Sequence, residues 1–287
     1  MLKQIGIFVG ILLVGAAFSY GQAAAPKAAA SGAVVTAAAA QKAPTTWLLH
    51  LPGIAGPKWI DEQMVLGLRD AGYAGALDVY DWTGTNPGIG ALLAYKRNHE
   101  QAQKVADMIV EHIRKQPNQH VILTGHSGGT GIAVWALEKL PADVKVDEVI
   151  LLASALSPDY DLSRALSHVK GKLYSFCSEN DVIVLGTGTK MLGTIDGKKT
   201  EAAGQSGFCF PPGADLAQYA KLIQKPYDKS YMQYNNLGDH IGCMLRGFSQ
   251  YVIAPLVVPG AAVVVKPEVD AHVTPAADSH QQHAARS

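Results

Sequence analysis

Residues 120–140 read HVILTGHSGGTGIAVWALEKL and carry the strongest structural pattern in the chain. The first five form a compact apolar strand, and apolar residues after Gly129 recur at helical spacing. A strand that turns directly into a helix strains its corner residue and leaves no room for a Cβ two positions before or after it. Gly125 and Gly129 meet that requirement around Ser127. The pattern therefore predicts a strand–turn–helix unit that presents the Ser127 hydroxyl at the end of the strand.

The chain on both sides of this unit alternates short apolar strands with amphipathic helices. Besides 120–124, strands are predicted at 46–51, 75–80, 146–152, 172–177 and 231–235. Besides the helix after Gly129, helices are predicted at 58–72, 98–116, 162–168, 215–224 and 241–253. This alternation predicts a single α/β domain over residues 45–258, with a mostly parallel sheet of about six strands and helices on both faces.

Composition excludes several classes of protein. The 287 residues contain 24 Lys+Arg and 24 Asp+Glu, so the chain lacks the net positive charge typical of general nucleic-acid binding. A hydrophobic content of 48% excludes wholesale disorder. The 3 cysteines, Cys177, Cys209 and Cys243, cannot form a disulfide scaffold. A single Cys209–Cys243 bridge and three buried thiols are both compatible with the sequence.

The two ends differ from the middle of the chain. Residues 1–22 combine Lys3, an apolar run over 5–18 and small residues after it, which is typical of a signal peptide and shorter than a membrane span. The chain is therefore expected to be exported, to a periplasm or out of the cell, with no stable membrane span after cleavage; an uncleaved anchor is the alternative. Residues 23–44 are predicted to be an Ala-rich linker and 259–287 a flexible tail.

A neutral Ser hydroxyl is a poor nucleophile and needs a base and an acid that orients the base. Where Ser lies on such a turn, the acid and then the His follow it along the chain. Asp181 follows the strand predicted at 172–177 and is the favoured acid. Glu179 is its main rival, and Asp159, with Asp161, is the second.

His240 is the candidate base. It lies in a Gly-flanked loop, NLGDHIG at 236–242, after the last predicted strand, and it completes the required order. The alternative is a histidine at a helix start with Asp239 as the N-cap. His126 precedes Ser127 in the turn and is expected to point away from it.

Acyl transfer also needs two N–H groups that stabilise negative charge on a carbonyl oxygen. The backbone N–H of Gly128, directly after the candidate nucleophile, is one candidate. The other is expected in the loop after the first strand, where Gly53 allows a tight turn and Ile54 supplies the N–H.

These motifs resemble the α/β-hydrolase fold superfamily, which includes serine esterases and lipases. The similarity spans residues 45–255 and rests on LPGIAG at 51–56, GHSGG at 125–129, Asp181 and His240. It implies a Ser127–His240–Asp181 triad with an oxyanion hole at Gly128 and Ile54. The chain departs from many members because Leu51-Pro52-Gly53 replaces their His-Gly, and because its first strand corresponds to their third.

The resemblance implies an exported serine hydrolase that cleaves a small-molecule or lipid carboxylic ester. An amide or thioester hydrolase with the same triad, and a non-catalytic binding or surface protein with the same fold, are the alternatives. Neither a metal nor a cofactor is expected, because no metal-ligand spacing and no complete phosphate loop is present.

Overall fold

The computed structural model describes residues 46–182, 184 and 188–258. The predicted signal peptide (1–22), linker (23–44) and tail (259–287) lie outside the described residues. Within the described part, no helix has the length and apolar character that a membrane span requires.

The core is one sheet of six parallel strands in the order β2-β1-β3-β4-β5-β6. The strands are β1 Thr46–Leu51, β2 Ala76–Val79, β3 His120–His126, β4 Glu148–Leu152, β5 Leu173–Cys177 and β6 Leu222–Pro226. β1, β3 and β4 lie in the middle and are almost entirely buried, which explains why their sequences are continuous apolar runs. This confirms the predicted α/β fold class.

Helices surround the sheet. They are α1 Trp59–Asp70, α2 Ile89–Leu93, α3 Tyr95–Lys115, α4 Gly128–Glu138, α5 Ser163–Ser167, α6 Thr189–Leu192, α7 Ala203–Ser206, α8 Leu216–Tyr219 and α9 Arg246–Phe248. Short 3₁₀ segments cover Lys229–Tyr234, Gly242–Met244 and Ala254–Leu256, and a π-helical turn covers Ser249–Ile253. α3 packs on α4, whereas α1 packs on the C-terminal segment that starts at α9. α4 is buried along ten of its residues, so the helix that follows Ser127 has little freedom to move.

Three predicted elements near the C-terminus differ from the structure. The helix predicted at 215–224 is present only as α8, and its last three positions belong to the sixth strand, β6, because Leu222 pairs with Leu173 of β5 and extends the sheet. The strand predicted at 231–235 is a 3₁₀ turn, capped where the Asp228 carboxylate accepts a hydrogen bond from the Ser230 N–H. The helix predicted at 241–253 is interrupted at Leu245, whose φ of −68° and ψ of 149° are extended.

Candidate active site

Ser127 lies at the corner between β3 and α4 with φ 52° and ψ −124°, a conformation that side-chain-bearing residues rarely adopt. Four hydrogen bonds hold its backbone. Its N–H donates to the Leu152 carbonyl at 2.9 Å, and its own carbonyl accepts from the Thr130 N–H at 3.0 Å, the Thr130 hydroxyl at 2.6 Å and the Ala155 N–H at 3.4 Å. β4 and the first turn of α4 together maintain the strained corner.

The two glycines that flank this corner have a steric role. A Cβ on Gly125 would lie 2.7 Å from the Gly129 carbonyl oxygen. A Cβ on Gly129 would lie 2.2 Å from the Leu51 carbonyl oxygen and 2.5 Å from that of Pro52. Both contacts are with backbone atoms, which cannot rotate away, so the turn fits against β1 only when these positions lack side chains.

The structure brings together the three side chains that the sequence singled out. His240 Nδ1 lies 2.6 Å from Asp181 Oδ2, and His240 Nε2 lies 2.9 Å from Ser127 Oγ. A carboxylate only accepts hydrogen bonds, so the proton of the neutral imidazole is on Nδ1. Nε2 then has a free lone pair that accepts the Ser127 hydroxyl proton, as a general base requires.

Asp181 is 3% exposed, and its N–H closes a turn by donating to the Ser178 carbonyl at 3.0 Å. The rival acids have other environments. Glu179 is exposed to solvent, Asp159 forms an ion pair with Lys198 at 2.7 Å, and Asp161 accepts hydrogen bonds from the turn that follows it. Among the acids weighed from the sequence, Asp181 is therefore the one hydrogen-bonded to His240.

The loop that carries His240 is held by its neighbours. Gly238 has φ 83°, and a Cβ there would lie 2.7 Å from the Asn180 side chain. The Asp239 carboxylate accepts from the N–H groups of Ile241 and Gly242 at 3.1 and 2.7 Å. Asp239 thus caps the following turn, as the alternative interpretation expected, while the His240 ring points to Ser127.

Gly128 and Ile54 lie next to each other. A Cβ on Gly128 would be 2.5 Å from Ile54 Cγ2 and 3.2 Å from the Trp82 ring. The loop of Ile54 is anchored because the Trp82 indole N–H donates to the Pro52 carbonyl at 2.7 Å and the Gly88 N–H donates to the Ile54 carbonyl at 2.6 Å. Within the part of the chain that the structure describes, neither the Gly128 N–H nor the Ile54 N–H donates to another protein group. Both therefore remain the candidate donors to an anionic oxygen that the sequence predicted.

The sequence did not predict the contact that His126 makes with the loop of His240. Its Nε2 lies 3.0 Å from the His240 carbonyl oxygen, although 114 residues separate the two in the chain. Burial, reinforced by the nearby His240, lowers the pKa of His126 to about 3. A buried pair lies beyond it, with His50 Nε2 2.9 Å from Asp61 Oδ1. Only the position of His126 beside Ser127 hinted at a function.

Cys177, Cys209 and Cys243 are all free thiols. Burial raises the pKa of Cys177 to about 11 and that of Cys243 further, so neither is a reactive thiolate near neutral pH. Across the described ranges, no cluster of three or more His, Cys, Asp or Glu side chains is arranged to hold a metal ion.

Comparison with known proteins gives one family match. The Lipase (class 3) family profile matches residues 77–188, which include β3, the GHSGG turn, α4 and Asp181. The match covers less than half of the chain and ends before His240. No curated protein matches the chain.

Solved structures resemble the chain at low sequence identity. Aspergillus fumigatus lipase B is 12% identical with a TM-score of 0.46, over 74% of this chain and 52% of that protein. A lipase-esterase related protein from Clostridium acetobutylicum is 11% identical with a TM-score of 0.43, over 76% and 95%. A Trichoderma reesei cutinase is 17% identical with a TM-score of 0.37, over 49% and 64%. The chain thus spans about half of the lipase and less than two thirds of the cutinase.

Proposed function

Because the chain belongs to the α/β-hydrolase fold superfamily, we propose that it is a serine hydrolase that cleaves carboxylic esters through an acyl-enzyme on Ser127. The observation that carries the proposal is a continuous pair of hydrogen bonds, in which the Ser127 hydroxyl donates to His240 Nε2 and His240 Nδ1 donates to the Asp181 carboxylate. A fold alone does not imply catalysis, but a binding protein has no need of a buried carboxylate, an imidazole and a strained Ser that are hydrogen-bonded in series.

In the proposed reaction, Ser127 Oγ attacks the ester carbonyl carbon while His240 Nε2 takes the hydroxyl proton. The carbonyl π electrons move to oxygen, and the N–H groups of Gly128 and Ile54 stabilise that oxyanion. The oxyanion then collapses, the bond to the alcohol oxygen breaks, and the imidazolium of His240 returns its proton to the leaving alcohol. Asp181 stabilises the imidazolium throughout.

Water completes the cycle. His240 takes a proton from a water molecule, whose oxygen attacks the acyl carbon, and a second oxyanion forms at the same N–H groups. Its collapse breaks the bond to Ser127 Oγ, which regains a proton from His240, and the carboxylic acid is released. The net reaction consumes one water per ester and regenerates the free enzyme.

The surroundings of Gly128 favour an apolar acyl or alcohol group. The half-buried Ile54 side chain lies where a Cβ on Gly128 would be, so apolar surface borders the proposed oxyanion site, and the fully buried Trp82 ring supports it from behind. Apolar walls with a few oriented polar groups are typical of small-molecule sites. We therefore expect small-molecule or lipid esters with apolar chains to be better substrates than charged ones.

The test is a fluorophosphonate probe followed by mass spectrometry of the adduct. The wild-type protein should be labelled on Ser127 and should hydrolyse 4-nitrophenyl butanoate, and Ser127→Ala should lose both properties. Turnover of the matched butanoyl amide and thioester, measured beside that of the ester, shows which of the three bonds the protein cleaves. A wild-type protein that neither reacts with the probe nor turns over any acyl substrate would contradict the proposal and favour the non-catalytic alternative.

We also propose that residues 1–22 direct export and are removed near residues 21–24. This rests on the basic start and the short apolar run alone. Expression of the full chain in a bacterium, fractionation and N-terminal sequencing test it. A mature form that starts near Ala24 in the periplasm or medium supports export with cleavage, whereas intact Met1 in the membrane fraction supports the uncleaved anchor.

A further inference from the structure

His126 is in an unusual position for a buried core residue. It ends β3, directly before Ser127, but its ring extends across to the separate loop of His240. The centroids of the two imidazole rings are 5.0 Å apart and the rings are tilted by 44°. One residue thus connects the strand that carries the proposed nucleophile with the loop that carries the proposed base.

The direction of the hydrogen bond is determined by its acceptor. A backbone carbonyl can only accept, so His126 Nε2 carries the proton and donates to the His240 oxygen at 3.0 Å. The bond ends on the main chain of His240, so it leaves both ring nitrogens of His240 available for Asp181 and Ser127.

The loop needs such an attachment. It contains Gly238 with φ 83° and Gly242, and glycines give a chain wide conformational freedom. Asp239 caps the turn from inside the loop, and Tyr227 and Asn180 donate to the carbonyls of Asn236 and Leu237 at its start. The bond from His126 ties the main chain of His240 itself to the centre of the sheet. Small displacements matter here, because a shift of about 1 Å in a catalytic group can cost about 100-fold in rate.

Burial above all, and then the charged groups around it, keep His126 in the donating, neutral form. His240 faces it from the loop, His50 from the end of β1, and Asp61 from the first turn of α1. Burial and the two histidines lower the pKa of His126, and they outweigh the hydrogen bond to the His240 carbonyl and the Asp61 carboxylate, which both raise it. His126 therefore adds no positive charge beside His240 when that ring takes a proton.

We propose that His126 is a positioning residue, whose Nε2–H holds the His240 main chain so that the imidazole stays aligned between Asp181 and Ser127. The inference rests on the proposed function of this site. It assigns to His126 a contribution to turnover, and none to substrate binding, because the bond ends on a backbone carbonyl.

Two variants of His126 whose amide side chains differ in length test the inference. In His126→Gln the amide nitrogen falls near the position of Nε2 and can donate to the same carbonyl, whereas in His126→Asn the same group is one methylene too short. We expect Gln to lower kcat by no more than about threefold and Asn to lower it about 30-fold, with KM changed by less than about twofold in both. His126→Phe, which keeps a ring but has no donor, should resemble Asn if it folds.

A double-variant comparison separates positioning from loss of stability. Asp181→Ala removes the carboxylate that orients the His240 ring, and His126→Asn removes the bond that holds its main chain, so both loosen the same imidazole and their combined loss of kcat should be clearly smaller than the product of the single losses. Equal kcat for the Gln and Asn variants, or multiplicative losses, would overturn the inference while the proposed function stands. If the wild-type protein shows no probe labelling of Ser127 and no turnover, the proposed function and the inference both fail.

Discussion

Replacement of Asp181 by Asn tests the proposed triad most directly, because the two side chains have nearly the same shape. The Asp181 carboxylate is 3% exposed and lies 2.6 Å from His240 Nδ1. An Asn amide either loses this charge-assisted bond or turns its NH₂ toward the ring. The second outcome moves the imidazole proton to Nε2 and removes the lone pair that accepts the Ser127 proton.

The expected loss follows from that change. A wrong tautomer with intact geometry lowers kcat by about 10³- to 10⁴-fold, or about 4 to 5.5 kcal/mol of transition-state stabilisation. KM should change little, because Asp181 contacts the base and not the substrate. Initial rates with 4-nitrophenyl butanoate and the rate of fluorophosphonate labelling both measure the effect.

The rival acids provide matched controls. Glu179→Gln removes an exposed carboxylate two residues away, and Asp159→Asn removes the surface partner of Lys198, so each should leave kcat within about twofold of the wild type. An Asp181→Asn variant that keeps more than a tenth of the wild-type kcat, or a Glu179→Gln variant that is equally impaired, would refute the assignment of the acid.

Two further predictions concern stability. Gly129→Ala should lower the free energy of unfolding by about 3 kcal/mol, because its methyl group meets backbone oxygens, whereas Gly131→Ala in the same helix meets only the Ile195 side chain and should cost about 1 kcal/mol. Urea unfolding measures both, and equal losses would contradict the steric argument. Burial raises the pKa of Glu138 from 4.5 to about 7. Between these two pH values the Glu138 carboxyl is protonated in the folded protein but ionised in the unfolded chain. The free energy of unfolding should therefore fall as pH rises from about 4.5 to 7, by at most about 3 kcal/mol. Urea unfolding at several pH values measures this pH dependence, which Glu138→Gln should flatten and the exposed control Glu100→Gln should leave unchanged. An unchanged pH dependence in Glu138→Gln would show that another group causes it.

The middle strands and the turn at Ser127 could be predicted from sequence because their causes are local. β1 matches its predicted bounds, since a run buried on both faces must be apolar throughout. The GHSGG turn is recognisable because it lies directly between an apolar strand and an amphipathic helix, and the steric demand on Gly125 comes from Gly129 within the same five residues, although the demand on Gly129 comes from Leu51 and Pro52. Similar reasoning found Asp181 and His240 as candidates, because catalytic groups in parallel sheets follow strand ends.

The C-terminal third was less predictable. β6 is an edge strand whose residues are only partly buried, so its five residues lack the apolar run of the central strands. The tyrosines near 231–234 have high β propensity, but the Asp228 cap and the packing of the segment on α9 select a 3₁₀ turn. Propensity alone could not detect either effect.

The amino-acid sequence by itself determined the central strands of the sheet, the strained turn at Ser127 and the need for glycine at position 125, because these depend on neighbours a few residues apart. Only the tertiary structure distinguished Asp181 from Glu179 and brought the His126 ring to the His240 carbonyl. Both choices depend on distances between segments separated by up to 114 residues, and those distances arise only when the sheet and its loops pack together.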